Sequence, residues 1–238
     1  MRLKITKPRT LSLSLILSLI LSLTSAYGQR PLHQNLYDHA IAAPDSVQHD
    51  IASLADYLKI PGQNKKEVAE TIFYWVAVNI QYIDPLYGPA DTNEMALTTL
   101  QTKKSGCEGT ARLYYELCKA SAVDCQLIFG IAMGYSGKRQ KERQPNHGWN
   151  AVKSDDKWEL VDCTWGGGGS TVIDGQETYV TELDLRYLFA NPKSFVIDHF
   201  PEDSYWQLLG DNAISKRTFL SNDYQFKRNG KLIKISTK

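Results

Sequence analysis

Apolar and polar positions along the chain fall first into helical and later into strand patterns. Residues 11–26 are an uncharged, largely apolar run. From Ser46 to Ile60, Val47, Ile51, Leu54 and Leu58 recur at helical spacing, and Pro61-Gly62 closes the segment. Residues 64–83 read as a second helix, with Asn64 as its cap and Val68, Ile72, Trp75, Val76 and Ile80 along one apolar side. Two prolines and a glycine in 84–94 make a loop, and a short helix over 93–101 leads into Lys103-Lys104-Ser105-Gly106-Cys107. A third long helix covers 105–120, its start set by Ser105 and Glu108 at capping-box spacing.

The period then changes. Residues 125–135 are apolar almost throughout, as in a buried strand, and 147–153 with 157–163 read as a hairpin around Ser154-Asp155-Asp156-Lys157. Gly166–Gly169 reads as a flexible or tightly turning loop, residues 183–192 as a short helix, and 224–236 as a terminal hairpin with Asn229-Gly230 at its tip. The predicted class is α+β: N-terminal helices and a cysteine-bearing helix packed on an antiparallel sheet. No internal repeat is visible.

The N-terminus changes the picture of where the chain works. Residues 1–10 are basic with no acid, the apolar run follows, and small residues end it, which is the three-part pattern of a secretory signal peptide. Cleavage after Ala26 and after Gly28 both fit; a short uncleaved membrane anchor is the other reading. The expected organisation is a signal peptide over 1–28 and a single domain over 29–238, secreted or periplasmic, without stable membrane insertion after cleavage. Of 27 basic residues, removal of 1–26 takes away Arg2, Lys4, Lys7 and Arg9, leaving 23 against 26 acidic residues and a net charge of −3. That balance argues against nucleic acid as a partner. The four cysteines show neither C-x-x-C nor paired Cys/His spacing, so no metal is expected; Cys118 and Cys125 fit buried positions, with a bridge between them left open. No organic cofactor is implied, and oligomeric state is not readable.

Three residues stand out for chemistry. The capping box puts Gly106 at the first helical position and Cys107 at the second, so the thiol lies in the positive end of the helix dipole, which favours thiolate. The same helix start supplies free N–H groups for an oxyanion. If the hairpin turns at Asp155-Asp156, cross-strand partners sum to 311. Trp149 then faces Asp162, His147 faces Thr164, and side-chain alternation places His147 and Asp162 diagonally on one face. Cys163 points to the other face with Gly148 and Asn150. Cys107, His147 and Asp162 thus read as nucleophile, base and orienting carboxylate. Gln101, six residues before Cys107, could supply a side-chain donor to an oxyanion or be coincidental. Trp149 and Trp165 could wall an acyl pocket or fill the core. The basic loop 138–143 could guide an acidic substrate or simply be solvated. His199 could in principle replace His147, but no pairing rule places it.

The segments 106–125, 146–166 and 73–82 resemble the transglutaminase-like superfamily, and 187–209 is similar to its kyphoscoliosis-peptidase and cytokinesis-protein-3 branch. The resemblance covers about 64–210 and implies a papain-like core with Cys107, His147 and Asp162 as catalytic triad. Gly148 stands where the family commonly has Ala after the His, and Cys163 where Pro is frequent. The expected activity is acyl transfer or hydrolysis at a carboxamide or peptide bond through a Cys107 thioester, with a protein or peptide substrate. The alternatives are a non-catalytic module using the same groove to bind a peptide or glycan, and a membrane-anchored scaffold.

Overall fold

In the computed structural model, residues 30–83, 92–133, 144–173, 176–221, 224–226 and 232–234 are described. Helices α1 (Gln34–Ile41), α2 (Ile51–Leu58) and α3 (Lys65–Asn79) precede the parts of the chain that carry the candidate residues. Asn64 caps α3 as expected, its side-chain oxygen accepting from the Glu67 N–H at 3.0 Å. The helix departs from the one-sided pattern: Val68 through Ala77 are all buried, because α1 and α2 pack over the sides that the Cys107-bearing helix and the sheet leave free. A helix apolar all round belongs in a core centre. The helix expected from Ser46 begins only at Ile51, since Asp50 caps it by accepting from the Ser53 N–H at 2.9 Å. Asp45–Val47 is a separate 3-10 turn.

After β1 (Gln81–Tyr82) and α4 (Thr92–Thr102), the short strand β2 (Lys104–Ser105) pairs in parallel with β1. This fixes the chain just ahead of α5 (Cys107–Ala120). The main sheet is antiparallel, in the order β5 (Lys157–Val161), β4 (His147–Ser154), β3 (Cys125–Ala132), β8 (His199–Pro201). Helix α5 packs on β3 and β4, and the buried Asn150 side chain ties them by donating to the carbonyls of Ala111 on α5 (3.1 Å) and Gln126 on β3 (3.3 Å). Asp155 and Asp156 both have positive φ (46° and 63°), the conformation of the two-residue turn that suits a twisted hairpin. Asn150 pairs with Val161 and Ala151 with Leu160, the predicted register.

The glycine run is not a loop. Gly166 ends the short helix α6 (Cys163–Gly166), and Gly168 opens β6 (Gly168–Ile173), which pairs with β7 (Gln176–Thr181). Gly168 has φ +137°, and a Cβ there would overlap the Val180 carbonyl oxygen. The expected helix over 183–192 is instead a 3-10 turn at Leu185–Tyr187 followed by α7 (Pro192–Phe195). After α8 (Lys216–Leu220), β9 (Tyr224–Phe226) pairs with β10 (Leu232–Lys234); Asn229-Gly230 and the basic loop 138–143 lie outside the described residues. Among the described residues no helix is long and apolar enough to cross a membrane.

Gly130 on β3 sits opposite both His147 and Pro201. A Cβ at this position would overlap the Phe200 carbonyl oxygen and approach Trp149 Cη2 to 2.5 Å. Gly130→Ala is therefore expected to destabilise the protein by about 1–3 kcal/mol through overpacking. The check is a lowered urea midpoint with an unchanged slope; an unchanged midpoint would mean the two strands separate freely at the site.

Candidate active site

Cys107 is the first residue of α5, with Gly106 as N-cap. The capping box expected from Ser105 and Glu108 does not form. Ser105 is committed to β2 and its hydroxyl accepts from Thr99 Oγ1 at 3.1 Å, while Glu108 turns along the helix to Arg112 at 2.7 Å. The helix consequently starts one residue later than predicted, and the thiol sits at its very first position. Cys107 is only partly exposed, and its Sγ lies 3.9 Å from the Asn146 carbonyl oxygen.

His147 opens β4, and Asp162 follows the last residue of β5. The ladder stops at Val161, so the Trp149–Asp162 and His147–Thr164 pairs extrapolated from the hairpin do not form; the chain turns into α6 instead. Asp162 caps that helix. Its Oδ1 accepts from the N–H groups of Thr164 (2.8 Å) and Trp165 (3.1 Å), which fixes the carboxylate plane and presents Oδ2 to His147 Nε2 at 2.7 Å. With Nε2 so engaged, Nδ1 is the ring nitrogen left for Cys107.

A second histidine joins them. His199 Nε2 lies 3.0 Å from the same Asp162 Oδ2, and its Nδ1 lies 2.6 Å from Asp198 Oδ1. His199 pairs with Ala132 and His147 with Gly130, two residues apart on β3, so both rings project from the same face of the sheet.

The electrostatics follow from this packing. Burial works against a charged Asp162, but the His147 charge and hydrogen bond, with the bond from His199, hold its carboxyl well below the usual range. Burial likewise opposes a charged His147; the Asp162 carboxylate and the Cys107 thiol outweigh it and push the ring up to about 10. For Cys107, burial raises the thiol, while the hydrogen bond and charge of His147 and the Gly148 N–H bring the balance below the ordinary thiol value. Cys163 is different: burial pushes its thiol well above that value, with Asp162 adding to the effect.

Of the remaining candidates, Trp149 is 1% exposed and packs with Ile128, Leu160 and Phe195, so it is core and not a pocket wall. Trp165 is half-buried, its ring centroid 5.6 Å from that of His147. Gln101 is exposed on α4 and joins none of the site's contacts. Cys163, 3% exposed, faces the main core beside Cys118 and Cys125, and all four cysteines are free. One nitrogen of each histidine and an Asp162 oxygen lie within 4.8 Å of one another, close enough for a cation. Both Nε2 atoms lie within hydrogen-bond distance of a single carboxylate oxygen, Asp162 Oδ2. His199 was the site residue hardest to reach from sequence. Its only signal was its place in 187–209, the last of the four family-like segments.

Residues 52–163 match the family model described as Transglutaminase-like superfamily. The chain carries a transglutaminase-like domain. It is 29% identical over 191 residues to the mouse kyphoscoliosis peptidase, covering 78% of this chain and 28% of that one. It is 32% identical over 161 residues to the human kyphoscoliosis peptidase, covering 66% and 24%. The Lim and transglutaminase domain protein ltd-1 of Caenorhabditis elegans is 26% identical over 179 residues, covering 68% and 24%. The chain thus spans about a quarter of the length of these relatives. The matched span of the transglutaminase-like domain ends at Cys163, one residue beyond Asp162, and leaves His199 outside it.

Proposed function

We propose that this chain is an exported thiol enzyme that cleaves or transfers acyl groups at carboxamide or peptide bonds. The carrying observation is the 2.7 Å contact that fixes His147 Nε2 on Asp162 and leaves Nδ1 for a thiol at the first position of a helix. In this reading His147 holds the proton of Cys107 as an ion pair, and Asp162 sets the tautomer and balances the ring's charge. The Cys107 thiolate attacks the substrate carbonyl carbon, and the carbonyl electron pair moves onto oxygen. The helix-start N–H of Cys107 has no intrahelical acceptor and faces the developing oxyanion. As the tetrahedral centre collapses, the C–N bond breaks, and the leaving ammonia or amine takes the proton from His147. A thioester remains on Cys107. Water then hydrolyses it, or an amine such as a lysine side chain takes the acyl group, with His147 accepting the incoming nucleophile's proton. The kyphoscoliosis peptidases are named as peptidases, which supports a protein or peptide as the substrate here.

Stoichiometric alkylation of Cys107 by iodoacetamide at pH 6 is the direct test, because an ordinary thiol of pKa about 8.5 reacts slowly there. Slow, His147-independent alkylation would leave a peptide- or glycan-binding module as the better reading.

Export rests on the basic, apolar and small-residue pattern of residues 1–28. Expressed in its native host, the protein should be found secreted or periplasmic, with a mature N-terminus between Thr24 and Gln29 by intact mass and terminal sequencing. An intact Met1 in the cytosol would refute export without touching the chemistry.

A further inference from the structure

His199 is buried more completely than His147, and both of its ring nitrogens face carboxylate oxygens. A neutral imidazole has one donor and one acceptor, so it can satisfy only one of two ionised carboxylates. The ring's surroundings suit the doubly protonated form. The Phe195 ring stacks on it with centroids 4.0 Å apart, Trp165 meets it at 4.4 Å, and Trp149 meets it edge-on at 5.2 Å. An aromatic face stacked like that of Phe195 stabilises a desolvated cation.

We propose that His199 is a positioning residue of the thiol site, an imidazolium that bridges Asp162 to Asp198 and lets the outlying Asp198 carboxylate set the strength of the Cys107–His147 pair. The proposal rests on the reading of Cys107 as nucleophile. The chain of contacts runs Cys107, His147, Asp162, His199, Asp198, alternating in charge along its length. Asp162 alone beside His147 would grip the imidazolium so tightly that the ring became a poor acid toward a leaving amine. A cation on the far side of the same Oδ2 weakens that grip. The centroids of His147 and His199 are 5.3 Å apart, near enough for the effect to be large. At an effective dielectric of about 20 to 40 it amounts to about one to two pH units on His147.

The other titratable groups around His199 do not supply this balance. Tyr187 (centroid 6.0 Å away) is pushed up by burial and stays neutral through the working range, as does Tyr179, which feels Asp162. Arg186 is an exposed cation whose guanidinium is taken by Asp184. Cys163, against the other side of Asp162, is held as a neutral thiol by burial. Asp198, about a third exposed, touches neither Cys107 nor His147, which makes it the informative position.

The experiment follows the pH dependence of Cys107 alkylation by iodoacetamide in the unchanged full-length protein, Asp198→Asn, His199→Gln and His147→Ala, with circular dichroism as the folding control. The unchanged protein should show two steps: formation of the ion pair at low pH and loss of the His147 proton at high pH. Asp198→Asn removes the reason for the second proton on His199, and His199→Gln keeps a donor to Asp162 while removing the charge. Both should move the upper step to higher pH by about one to two units. The lower step should move the same way by less, since a nearby positive charge is lost. If Asp198→Asn overlays the unchanged protein while that protein keeps its two steps, the relay is overturned, and His199 is a packing residue whatever His199→Gln shows. A single ordinary thiol step in the unchanged protein, unaffected by His147→Ala, would instead overturn the nucleophile reading itself.

Discussion

Cys107→Ala should abolish alkylation at pH 6 and all thioester formation, while Cys163→Ala should leave both nearly intact. The two thiols differ in every respect that governs reactivity. Cys107 is partly exposed at a helix start with His147 beside it, and its thiol is held below the ordinary value. Cys163 is 3% exposed inside the main core, and burial holds its proton in place. Thiolate, not thiol, is the nucleophile, so the buried residue cannot substitute for the other. Cys163→Ala removes one small buried group and should cost about 1 kcal/mol of stability, the scale of a lost methylene. Peptide mapping after labelling separates the two sites. A folded Cys163→Ala protein without reactivity would place the nucleophile on the wrong thiol and the hairpin faces the wrong way round.

That contrast was legible in the sequence because hairpin parity is a local rule. Once Asp155-Asp156 is identified as the turn, the faces of residues from 147 to 161 are fixed, and the observed register follows. The rule loses force where the strand ends: Asp162 leaves the ladder to cap α6, yet its Oδ2 still reaches His147, because capping and the diagonal contact use different oxygens. The helix start at Cys107 was misplaced by one residue for the opposite reason. Ser105 has the composition of a cap but is claimed by a strand pair whose partner, Tyr82, lies 23 residues earlier. Longer-range placements were out of reach. His199 arrives through β8, paired with β3 across 67 residues, and nothing local to Asp198-His199-Phe200 announces that partner. The hairpin of β6 and β7 was hidden by its own glycines, which carry no alternating side-chain pattern. Gly168 is required there by its φ and by the closeness of the Val180 carbonyl.

Asp162→Asn should leave the fold in place and reduce turnover by orders of magnitude. The amide oxygen can still accept from Thr164 and Trp165, so the cap of α6 survives. The amide nitrogen then occupies the position of Oδ2, presenting a donor to both His147 Nε2 and His199 Nε2 where each now donates. His147 can accommodate it only by accepting at Nε2, which puts its proton on Nδ1, facing Cys107. In that tautomer the ring donates to the sulfur and has no lone pair with which to take the thiol proton. The negative charge that supports the imidazolium is lost as well, and burial, which already opposes a charged ring, then dominates. The apparent pKa of Cys107 should rise toward the free-thiol value of about 8.5. In serine proteases the equivalent change costs about 10⁴ in turnover through the same tautomer error. The stability consequences have a definite sign. The depressed carboxyl of Asp162 stabilises the fold above the unfolded aspartate pKa of about 3.9 and loses that contribution as pH falls through the lower folded value. The raised His147 contributes below its unfolded value of about 6.5 and loses its share as pH climbs toward about 10. Asp162→Asn should therefore flatten thermal stability against pH at both ends, while the alkylation curve of Cys107 moves toward that of an ordinary thiol. Superimposable alkylation curves for the two proteins would make Asp162 a helix cap and nothing more, and the orientation of His147 would have to come from its ring contacts with Trp149 and Trp165.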